Sequence, residues 1–191
     1  MKSPKWSPCG WTHSFREVAE CISRVDTASH GGYKLDRKRN AQVPEYMRAA
    51  GGWYEEDEAW CIVALVFPAY FPTEAVESAF KTFRHGYPAE FEQFTGTTLK
   101  EGESFGRDRE LFQARHKGDL VVVSASSGRD ISRGRDIPEG FVQVTAYAGG
   151  RVGYGLPEGP EHVFLVPDED YKARGPHGFV VDPAKYQEVS A

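Results

Sequence analysis

The spacing of apolar residues changes near residue 119, and that change constrains the fold more than any other feature of the chain. Upstream the pattern is helical. The run Trp60 to Phe67 (WCIVALVF) sets Trp60, Ala64 and Phe67 on one stripe and is too continuous for an exposed strand, so it predicts a buried helix. Thr73 is expected to cap a second helix with Val76, Phe80 and Phe83 on its apolar face and a stop at Tyr87-Pro88. Pro88 to Phe94 and Asp108 to His116 predict two more. Nearer the start, Trp11 to Val25 mixes a short helical pattern (Phe15, Val18, Ala19, Ile22) with a strand-like continuation through Thr27. Asp36 is a good N-cap for the basic turn Arg37-Lys38-Arg39, and Pro44 can open a further turn that Gly51-Gly52 stops.

From Leu120 the grammar is that of strands. Leu120 to Ala125 (LVVVSA) is a β-branched run, Phe141 to Tyr147 alternates apolar and polar residues, and Val163 to Val166 is a short strand. Asp168 to Ala173 fits a single helical turn before Phe179-Val180-Val181 ends the sheet. The fold class is therefore α+β: a single domain over 1–191, its mixed N-terminal and helical central parts packed on a C-terminal antiparallel β-meander. Residues 1–10 are expected to form a flexible N-terminal segment. Between the first two meander strands, 126–140 is too long for an ordinary hairpin connection and repeats Gly-Arg-Asp-Ile at 128–131 and 134–137. Arg129, Arg133 and Arg135 on this Gly/Ser-rich loop can reach phosphates or a partner's carboxylates; the alternative is a solvated insertion, which costs little closure entropy.

Charge excludes some functions. The chain has 23 Lys/Arg against 28 Asp/Glu, a formal −5, so it is not a protein whose whole surface coats a polyanion. The total hides a division, because residues 1–51 carry +4, 52–103 carry −7 and 104–191 carry −2. Such a division can select partners electrostatically if the fold keeps the charges apart. No apolar run reaches the roughly 18–20 residues that cross a bilayer, and the first residues lack a secretory apolar region. Cys9, Cys21 and Cys61 are widely spaced, with no disulfide or metal-pair pattern, which fits a reducing cytoplasm.

The constellation best suited to chemistry joins Ser29-His30-Gly31-Gly32 to Trp53-Tyr54-Glu55-Glu56-Asp57. Two glycines permit positive φ or the close approach of another backbone, and the histidine titrates near neutrality. Facing Glu55, Glu56 or Asp57, His30 can form half of an acid/base pair, or share a hard cation such as Mg²⁺, for which clustered oxygen ligands are the natural donors. The structural alternative is a turn histidine bonded locally, aromatic anchors in the core, and acids clustered at a helix N-terminus. Other routes are weaker. Cys61 reads as a small core residue, Ser104 and Ser124 lie in no nucleophile-elbow pattern, and Gly149 to Gly159 lacks a phosphate-cradling context. His85 and His177 sit in turns, and Phe91 and Phe94 read as core.

The strings TASHGGYKLDRKRNAQVPEYMR and GGWYEEDEAWCIVALVFP resemble a domain of unknown function, the DUF7007 family, found in proteins of bacterial plasmids, integrative elements and phages. The likeness runs from about Trp11 through DLVVVSA to GFVVDPAKY. It implies no reaction. It marks Ser29, His30, Gly31, Gly32, Trp53, Tyr54, Glu55, Glu56 and Asp57 as the family-like core, with 126–140 a departure. The function that follows is a non-enzymatic, protein-binding accessory of a mobile element, an inhibitor of host defence (anti-CRISPR or anti-restriction) acting through an acidic surface. Its expected contacts are Glu55, Glu56, Asp57 and Glu58 with Arg129, Arg133 and Arg135, and its partner is a host protein or nucleoprotein complex, with no membrane and no cofactor. The alternative is a small hydrolase or metal-assisted enzyme using His30 with Glu55, Glu56 and Asp57. Direct DNA binding through residues 34–39 and the arginine loop is the least favoured.

Overall fold

The computed structural model describes residues 6–7, 10–130, 135–151, 155 and 157–189. Two compact units emerge, Met1–Arg107 and Asp108–Ala191. The chain is α+β, with helices and antiparallel sheets. Among the described residues no helix is long and apolar enough to cross a membrane.

In the first unit a short antiparallel pair, β1 (Trp6–Ser7) and β2 (Gly10–Trp11), precedes a hairpin of β3 (Ser14–Ala19) and β4 (Ile22–Asp26). The helical pattern expected over Phe15 to Ile22 is not realised. Cys21 takes a left-handed φ of 65°, reversing the chain so that Ala19 pairs with Ile22. β5 (Gly31–Leu35) and β6 (Trp53–Glu55) complete a sheet of order β3-β4-β5-β6. Trp53 to Glu55 are thus strand, and the turn 56–59 separates them from the next helix.

Between β5 and β6 lie α1 (Arg37–Asn40) and two 3-10 turns, Glu45–Met47 and Ala50–Gly52. Asp36 caps α1 as expected, its carboxylate accepting from the Arg39 N–H at 2.7 Å. The excursion is pinned from inside. Tyr54 is fully buried, its hydroxyl donates to Asn40 Oδ1 at 2.6 Å and accepts from the Ala49 N–H at 3.2 Å, and Asn40 Nδ2 donates to Ala49 O at 3.1 Å.

Three helices follow: α2 (Trp60–Val66), α3 (Thr73–Gly86) and α4 (Pro88–Thr95). α2 buries Cys61, Ile62, Val63 and Ala64 in a core shared with Ile22, Leu35, Tyr54, Phe83 and Phe91. Each large side chain buried there contributes about 1.5–3 kcal/mol. Three details differ from expectation. Pro72, not Thr73, occupies the α3 cap position. The inner stripe of α3 is Ala79 and Phe83, four residues apart, which turns Phe80 outward to 41% exposure. Phe94 is 40% exposed, packing edge-to-face on Phe83 at 5.8 Å, while Phe91 is buried. α5 (Phe105–Arg115) begins at Ser104, whose buried hydroxyl accepts from the Arg107 N–H at 3.2 Å and donates to Arg84 O at 2.7 Å.

The second unit contains the expected meander. β7 (Leu120–Ser127), β10 (Phe141–Ala148) and β11 (His162–Pro167) run antiparallel, with β12 (Val180–Val181) beside β7 and β13 (Gln187–Glu188) beside β11. Val142, Val144 and Ala146 share one face of β10 and pack with Phe164, Val166 and Val181. α6 (Asp168–Lys172) is the single turn foreseen after β11. The 126–140 stretch is not one long loop. β7 extends through Ser127, and β8 (Arg129–Asp130) pairs with β9 (Arg135–Asp136), placing Arg129 opposite Asp136 and Asp130 opposite Arg135. The two copies of the repeat therefore form a ladder with one another. Residues 131–134, Arg133 included, lie outside the described residues.

Replacing Tyr54 by Phe keeps the ring but strands Asn40 Oδ1 and the Ala49 N–H in the interior. The expected loss, read by denaturant unfolding, is about 1–3 kcal/mol.

Candidate functional site

The two motifs meet on neighbouring strands. Gly32 lies opposite Glu55, Tyr33 opposite Tyr54 and Lys34 opposite Trp53, and the Glu56 N–H donates to Gly31 O at 3.0 Å. Neither Gly31 nor Gly32 has a positive φ. They are glycine because of what covers their α-carbons. A Cβ on Gly32 would fall far inside contact distance of the Tyr54 carbonyl oxygen and 3.1 Å from Glu55 Cα. A Cβ on Gly31 would meet three side-chain tips instead, 2.6 Å from Arg24 Nη2 and Glu56 Oε2 and 2.8 Å from Asp26 Oδ1.

Those tips belong to an ionic cluster that no motif announced. Arg24, on β4 across from Tyr33, donates through Nε to Asp26 Oδ1 at 2.8 Å and through Nη2 to Glu56 Oε2. Its guanidinium lies 5.6 Å from the Tyr33 ring centre. Ser14 donates to Asp26 Oδ2 at 2.6 Å. The Ser14 bond and then the Arg24 bond hold the Asp26 carboxyl below the ordinary carboxylate range. Glu56 is thus neutralised by a strand arginine.

The rest of the acidic box is not relieved in this way. Glu55 is half-buried, and burial, a hydrogen bond with Asp57 and the charges of Asp57 and Glu58 raise its pKa above the usual 4.5. His30 acts in the opposite sense, favouring the ionised form. Asp57 and Glu58 are exposed in the turn before α2, with the Glu58 carboxylate beside Gly86 at the end of α3. His30 is exposed and closes the β4–β5 turn. Its carbonyl accepts from the Thr27 N–H at 2.7 Å, and its ring Nδ1 lies 2.9 Å from Ser29 Oγ. Among the described residues it forms no hydrogen bond with Glu55, Glu56 or Asp57.

Two other candidates have clear places in the fold. Burial pushes the Cys61 thiol up to about 12, far from a reactive thiolate. The His85 ring accepts from the Phe105 N–H at 3.1 Å. Arg129 and Arg135 are strand residues whose side chains, like Arg133 altogether, lie outside the described residues. Among the described residues no three His, Cys, Asp or Glu side chains converge on a point where a metal ion could be held.

An antiparallel sheet locked to a short helical excursion, with one charge-balanced and one unrelieved group of acids at its edge, defines this α+β fold. The chain belongs to the DUF7007 family, a domain of unknown function, whose model matches residues 2–117. The match ends at Lys117, short of the reach that GFVVDPAKY suggested. No curated protein and no solved structure matches the chain.

Two outcomes follow from this geometry. Gly32→Ala, which collides with backbone, is expected to cost about 3 kcal/mol in denaturant unfolding, and Gly31→Ala, which displaces flexible tips, about 1 kcal/mol. Glu55 binds its proton more tightly when folded, so its contribution to stability is complete below pH 4.5 and lost as pH rises through the folded value. Glu55→Gln therefore melts at a higher temperature than wild type at pH 7, and the gap closes toward pH 4.

Proposed function

We propose that this DUF7007 protein is a non-enzymatic, cytoplasmic accessory of a mobile genetic element that binds a host protein or nucleoprotein complex and inhibits host defence, in an anti-CRISPR or anti-restriction role. One observation supports this reading above the others: Glu55, Asp57 and Glu58 form an acidic corner in which burial of Glu55, and after it the neighbouring acids, raise its proton affinity, with no cation paired to the corner among the described residues. A basic groove on a partner relieves that crowding, and such complementarity speeds and selects association more than it adds raw affinity. Glu56 contributes little, because Arg24 already neutralises it. Exposed Glu74 and Glu77, on α3 of the same unit, extend the negative potential.

A second reading, a small hydrolase, draws on the same Glu55: a carboxyl of raised pKa near a histidine is a candidate general acid. It uses His30 and Glu55, and requires hydrolytic activity that His30→Ala and Glu55→Gln both abolish.

The interaction reading is tested by capturing partners from a bacterial host lysate with wild type and with the triple variant Glu55→Gln, Asp57→Asn, Glu58→Gln, alongside phage and plasmid transfer assays. Wild type is expected to recover a nuclease, helicase or CRISPR-type complex that the variant loses roughly tenfold, with the loss mimicked by raising salt. Equal recovery by both proteins, with unchanged transfer, contradicts it.

A further inference from the structure

The second unit contains a cavity of about 540 Å³. Its wall on α5 is Arg109, Glu110, Phe112 and Gln113, its floor is Val121 to Val123 of β7, and Gly149, Arg151 and His177 close it. The fold shapes this space in two ways. The β7–β10 register slips between Thr145 and Ala146, so that Ser124 pairs with Thr145 and Val122 with Ala146. Val123 is left as the extra residue, and this bulge lets consecutive valines border one space where a regular strand would turn every second one away. After β10, Gly149 and Gly150 at φ 70° and 69° turn the chain against the Lys117 carbonyl and Val121, which returns Arg151 to the cavity. The Gln113 Nε2 group holds Arg151 by its carbonyl at 3.4 Å.

The lining is chemically divided. Arg109 and Arg151 are exposed at the cavity, and neither guanidinium has a hydrogen bond or ion pair among the described residues. With Glu110 the lining side chains sum to one positive charge when His177 is neutral. The Gln113 amide adds a neutral donor. The apolar lining is three valines and the Phe112 ring, which packs 6.3 Å from the His177 ring centre. The volume falls within the roughly 300–1,000 Å³ of small-molecule sites and far exceeds an inorganic oxyanion. We propose that this cavity binds a small aromatic anion: the planar guanidinium groups of Arg109 and Arg151 take a phosphate monoester or carboxylate, and Val121 to Val123 with Phe112 take the flat body.

Isothermal titration of the full chain with adenosine 5′-monophosphate, 2-naphthoate, adenosine and inorganic phosphate tests it. At least one of the two aromatic anions is expected to bind with a Kd below about 1 mM; which one binds separates a phosphate from a carboxylate ligand. Adenosine and phosphate alone are expected to bind at least about tenfold more weakly, since each offers half the contacts. Arg109→Gln and Arg151→Gln, both at exposed positions, are expected to weaken binding roughly tenfold each with unchanged melting temperature, and Val123→Trp to abolish it by filling the space. Failure of both aromatic anions to bind, phosphate binding as tightly as the nucleotide, or full binding by the double arginine variant would each overturn the proposal.

Discussion

The approach of β5 to β6 at Gly32 is the contact on which the first unit depends. With no side chain at that position, the Tyr54 carbonyl comes close enough to exclude even a methyl group, and the ladder places Gly32, Tyr33 and Lys34 against Glu55, Tyr54 and Trp53. Everything between the two strands is then a closed excursion whose ends are fixed. Tyr54 reaches into it to bond Asn40 and Ala49, and Asp36 caps its first turn. Tyr54, Asn40 and the Ala49 backbone hold this closure from inside.

What the closure presents outward is a sorted set of charges. Arg24 lies over Gly31 and takes Asp26 and Glu56, so these two acids are balanced. Glu55, Asp57 and Glu58 lie beyond its reach. The net −7 counted over 52–103 is thus unevenly expressed: part of it is spent within the fold on Arg24 and, at Glu92, on Arg107. Of the acids these arginines leave, Glu55, Asp57 and Glu58 stand together at one corner.

The elements with a clear period were legible in the residues. Trp60 to Phe67, the helices after Thr73 and Pro88, the helix expected over Asp108 to His116 that in fact begins at Phe105, and the three main meander strands all carry enough turns or alternations to declare themselves. The sheet β3-β4-β5-β6 did not. Its first hairpin turns on a left-handed Cys21, which no glycine or asparagine advertises; β5 opens with two residues that have no side chains to alternate; and β6 is three residues long. The juxtaposition of SHGG with WYEED was foreseen, but the partner that divides the acids was not. Arg24 is a lone arginine in a short strand, and only the cross-strand register puts it over Gly31. The cavity of the second unit was equally hidden, because a bulge and two left-handed glycines assemble it from residues far apart in sequence.

Arg24's division of the acids into a balanced and an unrelieved group is open to experiment. Its most direct test is an NMR pH titration of the side-chain carboxyl carbons in the intact chain. Glu55 is expected to titrate above 4.5 and Asp26 below 3.8 in the same sample, and Arg24→Leu to move Asp26 upward. Ordinary midpoints for both groups, or an Asp26 midpoint indifferent to the loss of Arg24, would contradict it.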